Sequence, residues 1–279
     1  MNTYTRGRQR NPSVAALKDG GFVIAWDSNH QDGSSYGVYA QRYNARGRAV
    51  GIEFRVNTAT VNSQSHPAVA ALADGGFIVA WGGQTTELYF TSYPTNVYGQ
   101  RFSAAGSRVG TEFRINTDTT PANLLHDDPS VAGLSGGGFI VTWTSQGQDG
   151  SFEGVYGQRY DARGVPVGGE FQVNTDTIGD QNVSSVAALN DGGFIVTWQS
   201  RDQYNPNLET TSGIFAQRYR ARGTKVGGEF RVNTNTIGNQ IGPSVAGLSN
   251  GGFVVTWQSW GEPNQGTSGV GIFGQQFGP

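Results

Sequence analysis

The 279-residue chain holds 19 Lys and Arg against 21 Asp and Glu, so its formal net charge is −2 and no basic excess is available for nucleic-acid phosphates or an anionic membrane. It contains no Cys, which excludes disulfides and a thiolate nucleophile, and no apolar run of the roughly 20 residues that a membrane span needs. Its 43 Gly and 11% aromatic residues favour an all-β protein with many short strands and tight turns.

The first ten residues, MNTYTRGRQR, contain no apolar stretch of the signal-peptide type, so a secreted chain would need an export signal outside this sequence. Asn2-Thr3 matches the Asn-Thr pair that ends the units that follow. Residues 1–10 are therefore the candidate outer strand for the last unit, although they match EFRVNT poorly.

A hairpin phrase recurs five times along the chain, and each copy ends in Trp. The copies are PSVAALKDGGFVIAW, PAVAALADGGFIVAW, PSVAGLSGGGFIVTW, SSVAALNDGGFIVTW and PSVAGLSNGGFVVTW, which end at Trp26, Trp81, Trp143, Trp198 and Trp257. The DGG or NGG turn predicts a tight hairpin between a short apolar strand and a strand such as FIVTW, which is apolar on both faces. A strand that is apolar on both faces must be covered on both.

Two further strands complete each unit. A phrase such as GVYGQRY predicts the third strand in all five copies, and one such as VGGEFQVNT predicts the fourth strand in the first four. The same four units carry an Arg in the third strand and a Glu in the fourth. We predict an ion pair between these two residues in each unit.

The five units predict a single domain over residues 1–279, with units at approximately 12–58, 67–117, 129–175, 184–234 and 243–277. Sheets that are apolar on both faces must lie between neighbours, and radially arranged blades achieve this. We therefore predict an all-β fold, a five-bladed β-propeller of four-stranded antiparallel blades, whose last blade is incomplete or closed by the N-terminal segment. An open stack of the same units would leave two apolar end faces uncovered.

The loops between the second and third strands vary most among the copies, and loops on a rigid scaffold are where binding usually resides. They place aromatic side chains beside amides, hydroxyls and carboxylates, which suits the face and the hydroxyl groups of a sugar. The candidate ligand-binding residues are Tyr36, Tyr89, Tyr93, Asp149, Phe152, Tyr204 and Trp260. The alternative for each of them is ordinary loop sequence without a ligand.

The loops that join the units begin with Asn-Thr, a pattern that favours side-chain bonds locking a turn. Asp118, Asp176 and Asp180 in these loops could offer oxygen ligands to calcium, but the sequence contains no recognised calcium-binding motif. The three His residues, at 30, 66 and 126, fall in loops at one predicted end, where a lone His is more often solvated than a ligand. We predict no cofactor and no metal site, with calcium as the cation to test.

Five-bladed glycoside hydrolases need carboxylates that converge near the propeller axis. The predicted innermost strand, SVAAL, contains no acid in any copy. No Ser-His-Asp arrangement and no P-loop is visible in the sequence. We therefore predict no catalytic residue and no enzymatic activity, a prediction that a carboxylate cluster in the central channel would overturn.

The pattern PxVAxLxDGGFVVxW…DGSxxGVYGQRFDAxGxxVGxEFxVNT is carried most fully by residues 129–175, with Gln148-Asp149-Gly150-Ser151 in the variable loop. In this pattern the chain resembles tandem propeller-type repeats of large secreted bacterial proteins, adhesin-like proteins that also carry cadherin-like modules and RTX-type calcium repeats. The resemblance covers nearly the whole chain, and the second unit departs from it most. It implies a secreted or bacterial cell-surface protein and names no ligand.

The sequence thus favours a non-catalytic, lectin-like module that recognises carbohydrate through loops on one face of the propeller. The alternatives are a structural or protein-binding module of a bacterial surface adhesin and, less favoured, a glycoside hydrolase. The expected partner is a carbohydrate or a cell-surface or matrix component, without nucleic acid or membrane insertion. Self-association through the incomplete last blade is also expected.

Overall fold

The computed structural model describes residues 2–84, 95–118, 125–201, 211–260 and 269–279, which form 19 β-strands. The first sheet consists of β1 (Gln9–Ala16), β2 (Phe22–Asn29), β3 (Tyr36–Tyr43) and β4 (Ala49–Arg55). The second consists of β5 (Gln64–Ala71), β6 (Phe77–Gln84), β7 (Thr95–Phe102) and β8 (Arg108–Arg114). The third consists of β9 (His126–Gly133), β10 (Phe139–Gln146), β11 (Glu153–Tyr160) and β12 (Pro166–Gln172). The fourth and fifth consist of β13 (Gln181–Ala188), β14 (Phe194–Arg201), β15 (Ser212–Tyr219) and β16 (Lys225–Arg231), and of β17 (Gln240–Gly247), β18 (Phe253–Trp260) and β19 (Val270–Phe277).

The strands of each sheet follow one another in chain order, and β1, β5, β9, β13 and β17 lie side by side as the innermost strands. This arrangement confirms the predicted five-bladed β-propeller of antiparallel blades. The last blade has three strands, and residues 2–8 add no strand to it. No helix found in the described ranges is long and apolar enough to span a membrane.

The turn between the first two strands is held in the same way in all five blades. The backbone N–H of the Leu before the turn, Leu17 in the first blade, donates to the carbonyl of the second Gly at 2.8–2.9 Å in every copy. Where the turn begins with Asp, as at Asp19, Asp74 and Asp191, a carboxylate oxygen accepts the N–H of that same Gly at 2.8–2.9 Å. The DGG phrase therefore serves the fold, as its recurrence predicts.

The predicted ion pair between the third and fourth strands is wrong. In three of the four units the third-strand Arg pairs with the turn Asp: Arg42 with Asp19 at 3.3 Å, Arg101 with Asp74 at 3.3 Å and Arg218 with Asp191 at 2.9 Å. In the third blade, whose turn has no Asp, Arg159 donates to backbone carbonyls of the next blade. The reason is that the ladder between the third and fourth strands shifts register just before each Arg. The fourth-strand Glu instead accepts the backbone N–H of the Thr that leads into its own blade, at 2.5–2.7 Å in four copies.

Four apolar cores lie between neighbouring blades of the described structure. In the first core, Ala25 and Val38 of one blade pack with Val69 and Trp81 of the next. The repeated Trp is the largest side chain in each core, and in the three middle blades it is at most 1% exposed. Burial of both faces of each sheet explains why FIVTW is apolar on both sides.

The Asn of the recurring Asn-Thr pair locks each blade to the loop that follows it. In the first copy, Asn57 Oδ1 accepts the backbone N–H of Val38 at 2.8 Å, and Asn57 Nδ2 donates to the Ala59 carbonyl at 2.6 Å and to Gln64 Oε1 at 3.1 Å. Equivalent bonds recur in the third and fourth blades. This finding supports the turn-locking interpretation of the Asn-Thr pattern.

Candidate active site

The innermost strands begin at one end of the central channel, which we call the channel mouth: residues 9–11, 64–66, 126–128, 181–183 and 240–242. The third residue of each strand has a positive φ, and the ladder to the second strand shifts register at this point. These residues and their φ angles are Asn11 at 51°, His66 at 52°, Asp128 at 50°, Val183 at 51° and Gly242 at 62°. A bulge of this kind redirects the side chain it carries, so five equivalent backbone positions surround the mouth.

Two carboxylates and an imidazole meet where the second and third blades join at the mouth. His66 Nδ1 lies 3.3 Å from Asp127 Oδ1 and 3.6 Å from Asp128 Oδ1. Gly82 of β6 leaves room for this group, because a Cβ at that position would stand 2.5 Å from Asp127 Oδ1. The chain thus brings together residues from β5, β6 and β9 that are far apart in sequence.

A third carboxylate, Asp27 at the end of β2, is fully buried at the adjoining blade. It accepts hydrogen bonds from Arg10 Nε at 3.2 Å, from Asn11 Nδ2 at 2.9 Å and from the backbone N–H of His66 at 3.3 Å. A buried carboxylate needs such partners, and the Arg10 guanidinium supplies the compensating charge. Asp27 therefore fixes the bulges of the first two blades against each other.

A fourth carboxylate, Glu153 at the start of β11, continues the polar group toward the last two blades. Glu153 accepts a hydrogen bond from Asn182 Nδ2, and Gln199 Nε2 donates to Asn182 Oδ1 at 2.6 Å. Gln199 Oε1 in turn accepts the backbone N–H of Gly242 at 3.1 Å. Polar side chains thus extend across the mouth from the first blade to the fifth.

Two carboxyl groups of the mouth, those of Asp128 and Glu153, have a pKa above the ordinary value. Burial raises the pKa of Asp128, the neighbouring charge of Asp127 raises that pKa further, and His66 opposes the rise. Although 47% of the Asp128 side chain reaches solvent, the walls of the mouth still restrict its hydration. Burial also raises the pKa of Glu153, with a further rise from Asp180 and Asp128, while the bond from Asn182 lowers it. Such carboxyl groups can donate a proton at a pH where an ordinary one cannot.

His66 shows the complementary shift. Its hydrogen bond to Asp127 raises the pKa of the imidazole, and the charges of Asp127 and Asp128 add to this, while burial lowers it. The imidazole therefore lies against two carboxyl groups, of which Asp128 holds a proton more readily than an ordinary Asp. Ligand atoms of these three residues lie within 4.8 Å of one another and could also hold a cation. The set offers fewer oxygen ligands than the six to eight that calcium prefers.

The predicted ligand-binding residues are placed differently. Tyr36 lies beside the mouth, with the Arg10 guanidinium 3.9 Å from its ring centroid. Asp149 accepts the backbone N–H of Ser151 at 2.9 Å and so locks its own turn, and Phe152 is exposed. Trp260, 47% exposed, lines a cleft of about 340 Å³ together with Asn182. Tyr89, Tyr93 and Tyr204 lie outside the described residues.

The acids of the mouth escaped prediction because the innermost strand is longer than SVAAL. β9 begins at His126, so Asp127 and Asp128 belong to the channel strand and not to a loop. Pro129 hid this extension, since Pro within a run argues against a strand, but a bulge tolerates Pro. Aligning the copies on this Pro, which recurs in four of them, would have shown one position occupied by Asn, His, Asp and Gly.

No family model and no curated protein matches the sequence. Solved structures share its fold. The GH93 α-L-arabinofuranosidase of Fusarium graminearum with arabinobiose is 13% identical, with a TM-score of 0.62 over 96% of this chain and 82% of that one. The α-L-arabinanase of Penicillium chrysogenum with arabinobiose is 14% identical, with a TM-score of 0.63 over 92% and 78%. The GH43 endo-arabinanase of Bacillus licheniformis is 13% identical, with a TM-score of 0.51 over 98% and 96%.

These findings correct two predictions. The non-catalytic, lectin-like module and the absence of enzymatic activity are wrong. The absence of catalysis rested on a channel without acids, whereas Asp127 and Asp128 lie on β9, the innermost strand of the third blade. The similar structures carry the names of arabinofuranosidases and arabinanases, not of lectins. At 13–14% identity the likeness shows the fold alone, so the argument about chemistry rests on the residues of the mouth.

Proposed function

We propose that the chain is a glycoside hydrolase whose reaction takes place at the channel mouth. The observation that carries this proposal is the convergence there of carboxylates from neighbouring blades, with the pKa of Asp128 and of Glu153 held above the ordinary value. Cleavage of a glycosidic bond needs one carboxyl group that is protonated and a second that is ionised. The raised pKa of Asp128 makes it the candidate for the protonated group, and Asp127, which lies 3.3 Å from His66 Nδ1, is the candidate for the second carboxylate.

The roles follow from the contacts of each residue. Asp128 donates its proton to the departing glycosidic oxygen as the bond from the anomeric carbon breaks. Asp127 attacks the anomeric carbon as this bond breaks and forms a glycosyl ester; water then displaces Asp127 from that carbon and gives a proton to Asp128, so charge and atoms balance. Ligand atoms of the two residues lie within 4.8 Å of each other. This separation suits a retaining reaction, with about 5–5.5 Å between the carboxyl groups, and not an inverting one, which needs about 6.5–9.5 Å to admit a water. Asp27 acts as a positioning residue, because it holds the backbone N–H of His66 at 3.3 Å.

Arabinose-containing polysaccharides are the first substrates to test. The similar structures are an α-L-arabinofuranosidase and two arabinanases, and two of the three hold arabinobiose. Tyr36 and Trp260 would supply aromatic faces for sugar rings on either side of the acids. A carbohydrate partner, expected from the sequence, is thus retained as a substrate.

The test compares the wild type with Asp128→Asn, which keeps the shape of the side chain and removes the acid. We expect the release of reducing sugar from arabinan or an aryl arabinofuranoside to fall by about 10²–10⁴-fold. Asp149→Asn, which alters a carboxylate that locks a turn, is the control and should keep the wild-type rate. No release by the wild type from a broad polysaccharide panel, or full activity in Asp128→Asn, would refute the proposal.

We further infer that the protein acts outside the cell, secreted or at a bacterial surface. The support is the resemblance of residues 129–175 to repeats of large adhesin-like proteins. A polysaccharide too large to enter a cell agrees with this location. Fractionation of the native host with an antibody against the chain tests it, and a signal confined to the cytoplasm would overturn it.

A further inference from the structure

The four inter-blade cores share one design, in which the same repeat positions meet each time. One side of a core is formed by a residue of the third strand, which is Val38, Val97, Val155 or Ile214, and each of these is 0% exposed. The other side includes a residue of the innermost strand of the next blade, such as Val69 or Val186, each 7% exposed. Residues at these two positions are therefore buried wherever two blades pack together.

The corresponding faces of the fifth and first blades are uncovered in the described structure. Ile272 occupies the position of Val38 and is 74% exposed, and Val14 occupies the position of Val69 and is 65% exposed. Thr256 is exposed as well, whereas its counterparts in the other blades are fully buried. No apolar cluster among the described residues joins the fifth blade to the first.

We propose that these two faces bind each other between copies, so that the first blade of one chain docks on the fifth blade of a second copy of this chain. The occupant is fixed by the repeat itself, because each face is one half of an interface that the molecule already forms four times. In this structure the chain leaves both of its own halves exposed, so the covering blade comes from another copy. Such a contact is heterologous, joining unlike faces head to tail.

Hydrogen bonds of the N-terminal segment indicate how the first blade of one copy would meet the fifth blade of the other. Asn2 Nδ2 donates to the Tyr4 carbonyl at 2.7 Å and to Gln9 Oε1 at 3.2 Å, which are the bonds that Asn57 makes at the next junction. At the other junctions the Asn Oδ1 also accepts a backbone N–H from the third strand of the preceding blade. In the docked pair, Asn2 Oδ1 would accept the N–H of Ile272 from the second copy.

The charges of the two faces agree with docking. The positions that form the cores carry no charged side chain on either face. On the first blade they are Val14, Phe22, Ile24 and Trp26, of which Trp26 is already buried within its own chain, and on the fifth they are Val254, Thr256 and Ile272. A contiguous apolar surface that is left uncovered marks an interaction site. This inference is independent of the proposed hydrolase activity, since it uses none of the carboxylates of the mouth and not His66.

The experiment measures the mass of the full chain by sedimentation velocity and light scattering over a range of concentrations. We expect wild type to pass from the 29.7 kDa monomer to dimers and larger species as concentration rises. Val14→Lys and Ile272→Lys, each on its own, should remain monomeric. Ile52→Lys, which changes an 86% exposed residue on β4 away from both faces, should associate like the wild type.

Mixing the two face variants gives the sharpest result. Val14→Lys keeps an intact fifth-blade face and Ile272→Lys keeps an intact first-blade face, so an equal mixture should form dimers and stop there. A wild type that stays monomeric at all concentrations, or a mixture that does not dimerise, would overturn the proposal. A monomeric Val14→Cys/Ile272→Cys double variant that forms its disulfide within one chain would also overturn it, because the faces would then close on each other.

Discussion

All five blades contribute to both ends of the central channel, but the residues they place there have different roles at the two ends. At the end opposite the mouth, every blade closes its hairpin with the same Leu-to-Gly backbone bond at 2.8–2.9 Å, and the turn residues barely vary. At the mouth the backbone is equally uniform, with φ between 50° and 62°, but the residue is Asn, His, Asp, Val or Gly. Repetition of a side chain marks a role in folding, and variation on a fixed backbone marks a place for chemistry.

Substitution of a repeated core residue should cause the largest loss of stability. Trp143→Ala removes a fully buried aromatic side chain and should lower the free energy of unfolding by about 3–5 kcal/mol in chemical denaturation. Trp260 does not recur in other copies and is half-exposed, so Trp260→Ala should cost about 0.5 kcal/mol or less. A loss below about 1 kcal/mol for Trp143→Ala would mean that the repeated Trp does not support the fold.

A smaller loss is expected at the Asn that locks each junction. Asn174→Ala leaves the backbone N–H of Val155 without its acceptor, which should cost about 1–3 kcal/mol by the same measurement. Asn2 makes the matching Nδ2 bonds, yet its described contacts include no donor to Oδ1, so Asn2→Ala should cost less. Equal losses in the two variants would show that the acceptor role of Oδ1 contributes nothing.

Changes at the mouth should separate activity from stability. The methyl group of Gly82→Ala would stand 2.5 Å from Asp127 Oδ1 and push this carboxylate away from His66. We expect hydrolysis to fall by about 10-fold or more while the free energy of unfolding changes by about 0.5 kcal/mol. Gly136→Ala, where the added methyl group meets open space, is the control. An unaltered hydrolysis rate in Gly82→Ala would remove Asp127 from the reaction.

The smallest effect should appear as a pH dependence of stability. The pKa of His66 is raised above 6.5, so the stability it contributes is present below pH 6.5 and is lost as the pH rises through the folded-state pKa. Because the His66–Asp127 pair is partly exposed and screened, we expect a difference of about 0.5 kcal/mol or less. The free energy of unfolding of the wild type and of His66→Gln, measured at about pH 5.5 and 8.5, isolates the contribution of His66, because the carboxyl groups titrate in both proteins. Parallel curves would show that the pair is not formed in solution.

The architecture could be derived from sequence because each local signal agrees with the others. The turn motif, the two-faced strand ending in Trp143 and the five-fold recurrence all require a sheet between two sheets. The true partner of the third-strand Arg could not be derived. The ladder before Arg159 shifts register by two residues, from Gly157 opposite Phe171 to Arg159 opposite Val167, and a pattern of alternation does not reveal such a shift.

The site was missed for a related reason. Alternation of apolar residues ends at the repeated Trp, so Asp27 reads as a loop residue although β2 continues to Asn29. The channel mouth is polar, and its strand ends therefore lack the apolar pattern by which strands are recognised. The raised pKa values of Asp128 and Glu153 depend on which blades adjoin, and no local pattern encodes that proximity.

One contact of the outer strands bears on the order in which the chain is built. The Glu of a blade's fourth strand accepts a hydrogen bond from the Thr that leads into that blade. Glu112, for example, accepts the backbone N–H of Thr58 at 2.6 Å, and neither residue belongs to the strands of the preceding blade. During synthesis, the segment that follows one blade can therefore form this hydrogen bond only after the fourth strand of the next blade has left the ribosome. We therefore expect each blade to complete its contacts only after the next unit has been synthesised, in strict order from the amino terminus.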